Sequence, residues 1–121
     1  MAVAEHAAVE HANEVHLVGR LAAEPVSREL PSGDLLLTFR VIVARERTTR
    51  TAAARSATVD TIDCAAWTKV AQRSVRAWEP GDVVEVRGAL RRRFWRSPHG
   101  PSSRSEVEVS SARRAARSTG P

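Results

Sequence analysis

From Leu35 to Ala44 the chain alternates without a break. Leu35, Leu37, Phe39, Val41 and Val43 fall on one side, and Leu36, Thr38, Arg40, Ile42 and Ala44 fall on the other. Side chains on a strand point alternately to the two faces of a sheet, so one wholly apolar face opposite a mixed one describes a half-buried strand. The same period of two recurs in shorter runs. Glu14 to Leu21 places Val15, Leu17 and Gly19 opposite His16 and Val18, and a glycine inside a strand marks a bulge or a sharp bend. Val59 to Trp67 places Ile62, Cys64 and Ala66 opposite Thr61, Asp63, Ala65 and Trp67. Asp82 to Arg92 aligns Val84, Val86, Gly88 and Leu90, and Ser105 to Ser110 aligns Val107 and Val109.

One internal segment changes period. Ala71, Val75 and Trp78 stand at i, i+4 and i+7, which predicts a helix over Thr68 to Trp78, stopped by Glu79-Pro80-Gly81. Glu24-Pro25 interrupts the first strand, with Val26 to Leu30 as a short extension. Pro31-Ser32-Gly33-Asp34 is a turn, since proline presets one φ and glycine accepts a positive one. Arg45 to Thr58 has no period and reads as a long loop, and Ser97 to Ser103 as a shorter one. The expected order is β-β-β-α-β-β in a single domain over residues 14–110. It is preceded by a flexible extension over residues 1–13 and followed by a basic, disordered tail over residues 111–121. Five short, bent strands with one helix between the third and fourth describe an all-β, closed barrel.

Charge is unevenly placed. Of the 19 basic residues only Lys69 is a lysine, against 14 acidic residues and a net charge of +5. From Arg87 onward stand nine arginines against Glu106 and Glu108, whereas residues 1 to 14 hold three glutamates and no arginine. A basic balance suits a polyanionic partner. Cys64 is the only cysteine, so no intrachain disulfide forms and a reducing, cytoplasmic setting is expected. No apolar run approaches a membrane span and no secretion signal opens the chain.

Aromatic rings recur beside cations. Trp67 closes one strand next to Lys69, and Trp95 follows Arg91-Arg92-Arg93-Phe94. A ring offers an unpaired base a surface to stack on, while a guanidinium neutralises the phosphate beside it. Arg91 and Arg93 share one strand face, leaving Arg92 on the other. Trp78 completes the apolar helical stripe and reads as core, as does Phe39. His6, His11 and His16 share no helical or strand face, so no metal site is expected. Cys64 reads as a small buried hydrophobe. No nucleophilic triad, phosphate loop or carboxylate pair is present, which points to a binding protein without catalysis, metal or cofactor.

Several pieces occur together in one order: Asn13-Glu-Val-His-Leu-Val-Gly-Arg-Leu21, Pro25, Pro31-Ser-Gly33, Thr38-Phe39, Asp63-Cys-Ala-Ala-Trp67-Thr-Lys69, Gly81-Asp82, and Val86-Arg-Gly-Ala-Leu90 through Trp95. In these the chain resembles the bacterial single-stranded DNA-binding protein family over about residues 13–110. The resemblance implies a barrel of the oligonucleotide-binding type and sequence-non-specific binding of single-stranded DNA in replication, repair or recombination. It also implies a homo-oligomer (a tetramer or a dimer), a nucleoid-associated location, and no membrane. Trp67 and Trp95 fall where the family places stacking rings, and Lys69, Arg91 and Arg93 where it places basic groups. Arg20 matches a frequent family arginine. Arg40 and Arg47 are expected to add phosphate contacts.

The departures have consequences. The family usually places aromatics at the positions of Thr61 and Arg47. Asp63 puts a negative charge on the face expected to meet phosphate. The family's replicative members carry an acidic tip that recruits other proteins, where this chain has Arg113-Arg114-Ala-Ala-Arg117. An accessory or divergent paralogue is therefore expected, with no recruitment through an acidic tail. Two other readings stand beside DNA coating: an assembly module of weakened DNA affinity, and an RNA-binding barrel of the same shape.

Overall fold

Six strands and one helix make up most of the computed structural model, which describes residues 9–46 and 58–118. They are β1 (Val15–Leu21), β2 (Val26–Glu29), β3 (Leu35–Ala44), β4 (Val59–Ala66), α1 (Lys69–Arg76), β5 (Val83–Ser97) and β6 (Gly100–Ala116). β1 pairs antiparallel with β5 through most of its length, then with β3 through Arg20 and Leu21. β3 pairs with β4, β4 runs parallel to β6 at Cys64–Val107, and β6 returns along β5. The ring β1-β5-β6-β4-β3 is thus a closed five-stranded barrel, and β2 folds back on the start of β3. The helix α1 lies between the third and fourth barrel strands, as the sequence predicts.

Two glycines permit the closure. A Cβ on Gly19 would collide with the carbonyl oxygen of Ile42, where β1 passes from one partner to the other. A Cβ on Gly88 would collide with the carbonyl of Glu108, beside a register shift between Arg87 and Gly88. Asn13 braces the strand from outside: its side chain donates to the Leu90 carbonyl and accepts from the Leu90 amide, both at 2.8 Å.

The inward residues of every barrel strand meet in one core. Leu21, Leu37, Phe39, Val41, Cys64, Val84, Val86, Val107 and Val109 are buried there, and α1 adds Ala71 and Val75. Thr68 caps the helix by accepting from the Ala71 amide at 3.2 Å. Buried Gln72 ties the helix to the barrel, donating to the carbonyls of Leu35 and Ala66. The helix ends at Arg76, two residues before Trp78, which the sequence places inside it. Trp78 still packs the end of the barrel, edge-on to Phe39 at 5.4 Å between ring centres.

The sequence expectation falls short over the last two strands. β5 continues to Ser97, and β6 starts at Gly100, so the expected loop reduces to a tight turn. Residues 111–116, expected as part of a disordered tail, extend β6, with Ser111 opposite Arg87 and Ala116 opposite Val83. Small residues without a pattern pair here because β5 offers an open row of backbone donors and acceptors, which needs no particular side chain. Ala112 packs on the core, and Arg114 donates to Asp82 and to the Ala77 carbonyl.

Asp82 accepts hydrogen bonds from the amides of Glu79 at 2.8 Å and Ser118 at 2.6 Å, and from Arg114. These bonds, the Glu79 amide first, hold its carboxyl below the usual carboxylate range. Glu85 is lowered too, first by its bond to His16 and then by Arg113. A lowered folded pKa adds stability that is in full above the unfolded value of about 3.9 for Asp and is lost as pH falls through the folded value. Urea unfolding at a series of pH values will show a weaker acid-side loss of stability in Asp82→Asn than in the parent. The same assay will find Trp78→Ala destabilised by roughly 3–5 kcal/mol. Gly88→Ala will be destabilised as well, because its new methyl group meets backbone.

Candidate nucleic-acid interface

β5 and β6 extend past the barrel as a two-stranded hairpin. Arg91, Arg93 and Trp95 share its outer face with Ser102, Arg104, Glu106 and Glu108 of β6. The outward residues Arg40 and Asp63 face each other across the β3–β4 pair on the adjoining sheet surface. Trp67, just past β4, comes up against this group, with the Arg93 guanidinium over its ring at 4.9 Å. Trp67, Arg91, Arg93 and Trp95 are thus gathered at the base and flank of one hairpin. Arg20 lies apart, toward the Ile42 end of β3, and donates to the Gly81 carbonyl at 2.8 Å. Lys69 opens α1 and is exposed. Arg47 lies outside the described residues.

The two indoles differ. Trp95 is 48% exposed. Trp67 is half-buried, not the open ring that the outward position predicts, because Arg93 lies across it. Such a stack contributes on the order of 0.5–2 kcal/mol. The Nε1 of Trp67 is buried without a hydrogen-bond partner among the described residues. Phe94, which sequence reasoning passes over, is 74% exposed on the opposite face of the hairpin, where Arg92 lies 5.7 Å from its ring centre. Its signal was there to read: an aromatic one position out of phase with Trp95 in an arginine-rich run.

The arginines expected to meet phosphate already have carboxylate partners. Arg40 pairs with Asp63 at 3.0 Å, Arg91 with Glu108 at 3.4 Å, and Arg93 with Glu106 at 2.7 Å. The first two pairs are open to water and contribute at most about 1 kcal/mol each. The third is different, because the Glu106 side chain is only 6% exposed. A cleft of about 310 Å³ lies between β3 and the hairpin, walled by Arg40, Asp63, Arg104 and Glu106 with Ala22 and Val26 opposite.

Burial first, then Asp63 and Glu106, push the Cys64 thiol up to about 12, so it carries no thiolate at neutral pH. Among the described residues no three metal-ligating side chains converge. No helix among them is long and apolar enough to cross a membrane.

Arg93→Ala removes the partner of the buried Glu106 carboxylate and will lower stability. The double variant Arg93→Gln/Glu106→Gln, with the charge removed from both sides, will recover a large part of that loss in chemical denaturation. Arg93→Ala will also change the Trp67 emission spectrum, since it uncovers the ring.

The family model described as "Single-strand binding protein family" matches residues 12–115. Single-stranded DNA-binding protein A of Bacillus subtilis (strain 168) is 31% identical over 88 residues, which is 73% of this chain and 49% of that protein. Single-stranded DNA-binding protein 2 of Listeria innocua is also 31% identical over 88 residues, 73% of this chain and 54% of that protein. The chain therefore spans about half the length of these two relatives. A solved structure described as Plasmodium falciparum SSB complex with ssDNA superposes with a TM-score of 0.70. It is 23% identical and covers 85% of this chain and 90% of its own, a likeness of fold.

Proposed function

Because the chain belongs to the single-strand binding protein family, we propose that it binds single-stranded DNA without sequence specificity and shields it during replication, repair or recombination. The observation that carries this reading is the hairpin surface. A half-exposed Trp95 sits in one row with Arg91 and Arg93, and Arg93 in turn covers a second indole, Trp67. Bases stack on Trp95, and on Trp67 once Arg93 turns from the ring to a phosphate. Arg20, Arg40, Arg47, Lys69, Arg91 and Arg93 supply charge along the strand. The protein works as a homo-oligomer, a tetramer or a dimer, in the cytoplasm with the nucleoid. No step of this reading needs a cofactor or a reaction.

A second reading is favoured by one observation: the carboxylates on Arg40, Arg91 and Arg93. Each competes with a phosphate for its arginine's charge, although the terminal N–H groups of all three guanidinium groups stay open among the described residues. A barrel with such a surface suits an assembly module of weak DNA affinity.

Titration with oligo-dT, followed by tryptophan quenching, separates the two. The first reading requires strong quenching at about 50 mM salt and a marked loss of affinity at about 200 mM, with little competition from duplex DNA. Trp95→Ala will weaken binding by roughly 1–3 kcal/mol. Asp63→Asn and Glu108→Gln, which release Arg40 and Arg91, will each strengthen it. An absence of quenching at low salt leaves the assembly module standing.

A further inference from the structure

Lys69, Arg73 and Arg76 stand at i, i+4 and i+7 on α1, so they form one stripe along the helix. This stripe borders a groove of about 630 Å³ between the helix and the β2–β3 turn, with Trp67 and Leu35 among its walls. All three cations are exposed, and none has an ion-pair partner among the described residues. Among the described residues Asp34 is the one carboxylate lining the groove, and it accepts from the Ser32 hydroxyl at 3.0 Å. The contrast with Arg91 and Arg93 of the hairpin is sharp: those two face carboxylates, and the helix cations do not.

A solvated helix face is the plain alternative. It accounts for Arg73 and Arg76, since cations in a last turn suit the negative end of the helix dipole. It does not account for Lys69, which sits in the first turn against that dipole, in a helix with no acidic residue there. Nor does it account for an indole that closes the same groove. A cationic groove with an aromatic wall fits a single-stranded nucleic acid backbone.

We propose that the DNA strand passes Trp67 and continues over helix α1, its phosphates held by Lys69, Arg73 and Arg76. This track rests on the single-strand binding proposed above and extends it away from the sheet face. Sequence reasoning assigns only Lys69 of the three.

The test compares the full-length chain with Arg73→Gln/Arg76→Gln and with Arg28→Gln/Arg117→Gln. The latter removes the same charge from exposed positions elsewhere. Oligo-dT affinity is measured across salt. Each phosphate contact contributes about 0.7 to the slope of log affinity against log salt for single strands. The helix double variant will therefore lose roughly 1.4 from the slope. Between about 50 and 200 mM salt its affinity will fall roughly sevenfold less than that of the parent. Lys69→Gln will lose about half as much slope, and the Arg28/Arg117 variant will keep the parent slope. Unchanged thermal unfolding confirms that the variants fold. A parent slope in the helix variants, or an equal loss in the Arg28/Arg117 variant, overturns the track while leaving DNA binding intact. A parent that does not bind at all overturns both.

Discussion

The barrel closes at two backbone approaches too tight for a side chain. At Gly19 the first strand lies against the Ile42 carbonyl, and at Gly88 the fifth lies against the Glu108 carbonyl. If β1 stood further off at Gly19, it would remain paired to β5 alone and lose its contact with β3. Closure also decides what the core contains. The ring leaves one interior, filled by valines, leucines, Phe39 and small residues, with α1 and Trp78 covering one end. Outward residues are then free of packing duty, and charged and aromatic groups can collect there.

Where those groups collect follows from strand length. β5 and β6 are longer than the barrel requires, and their excess stands clear as a hairpin. Its outer face is nearly balanced in charge, since Glu106 and Glu108 of β6 face arginines of β5 across the ladder. On α1, by contrast with Arg91 and Arg93, the cations Lys69, Arg73 and Arg76 face no carboxylate among the described residues. Net charge alone hides this distinction. A strand crossing the outer face of the hairpin meets Arg91 and Arg93 with their charge shared by carboxylates, while one crossing the helix meets cations without such partners.

Much of the fold was legible. Leu35–Ala44, with its unbroken alternation, is β3 along its full length, and Phe39 and Cys64 are buried as the period of two requires. The apolar stripe of Ala71, Val75 and Trp78 does face the core, although the helix itself ends at Arg76. The second half of β6 was not legible. Ser111 to Ala116 has no alternation to detect, and its pairing partner lies far back in the chain. For the site, adjacent arginines and aromatics pointed to the segment that forms the β5–β6 hairpin, where Arg91, Arg93 and Trp95 share one face. They gave no sign that Arg93 lies on Trp67, or that Phe94 and Trp95 look out from opposite faces of a regular strand.

Local order along the chain settled the element types, their succession and the inventory of rings and charges, because periodicity and turn chemistry act between near neighbours. Which carboxylate meets which arginine, which indole is covered, and where a cation stays free were decided only on folding. Those pairings join residues distant in sequence, such as Arg40 with Asp63 and Trp67 with Arg93. Their partners are chosen by strand register and barrel closure, and no local pattern encodes either.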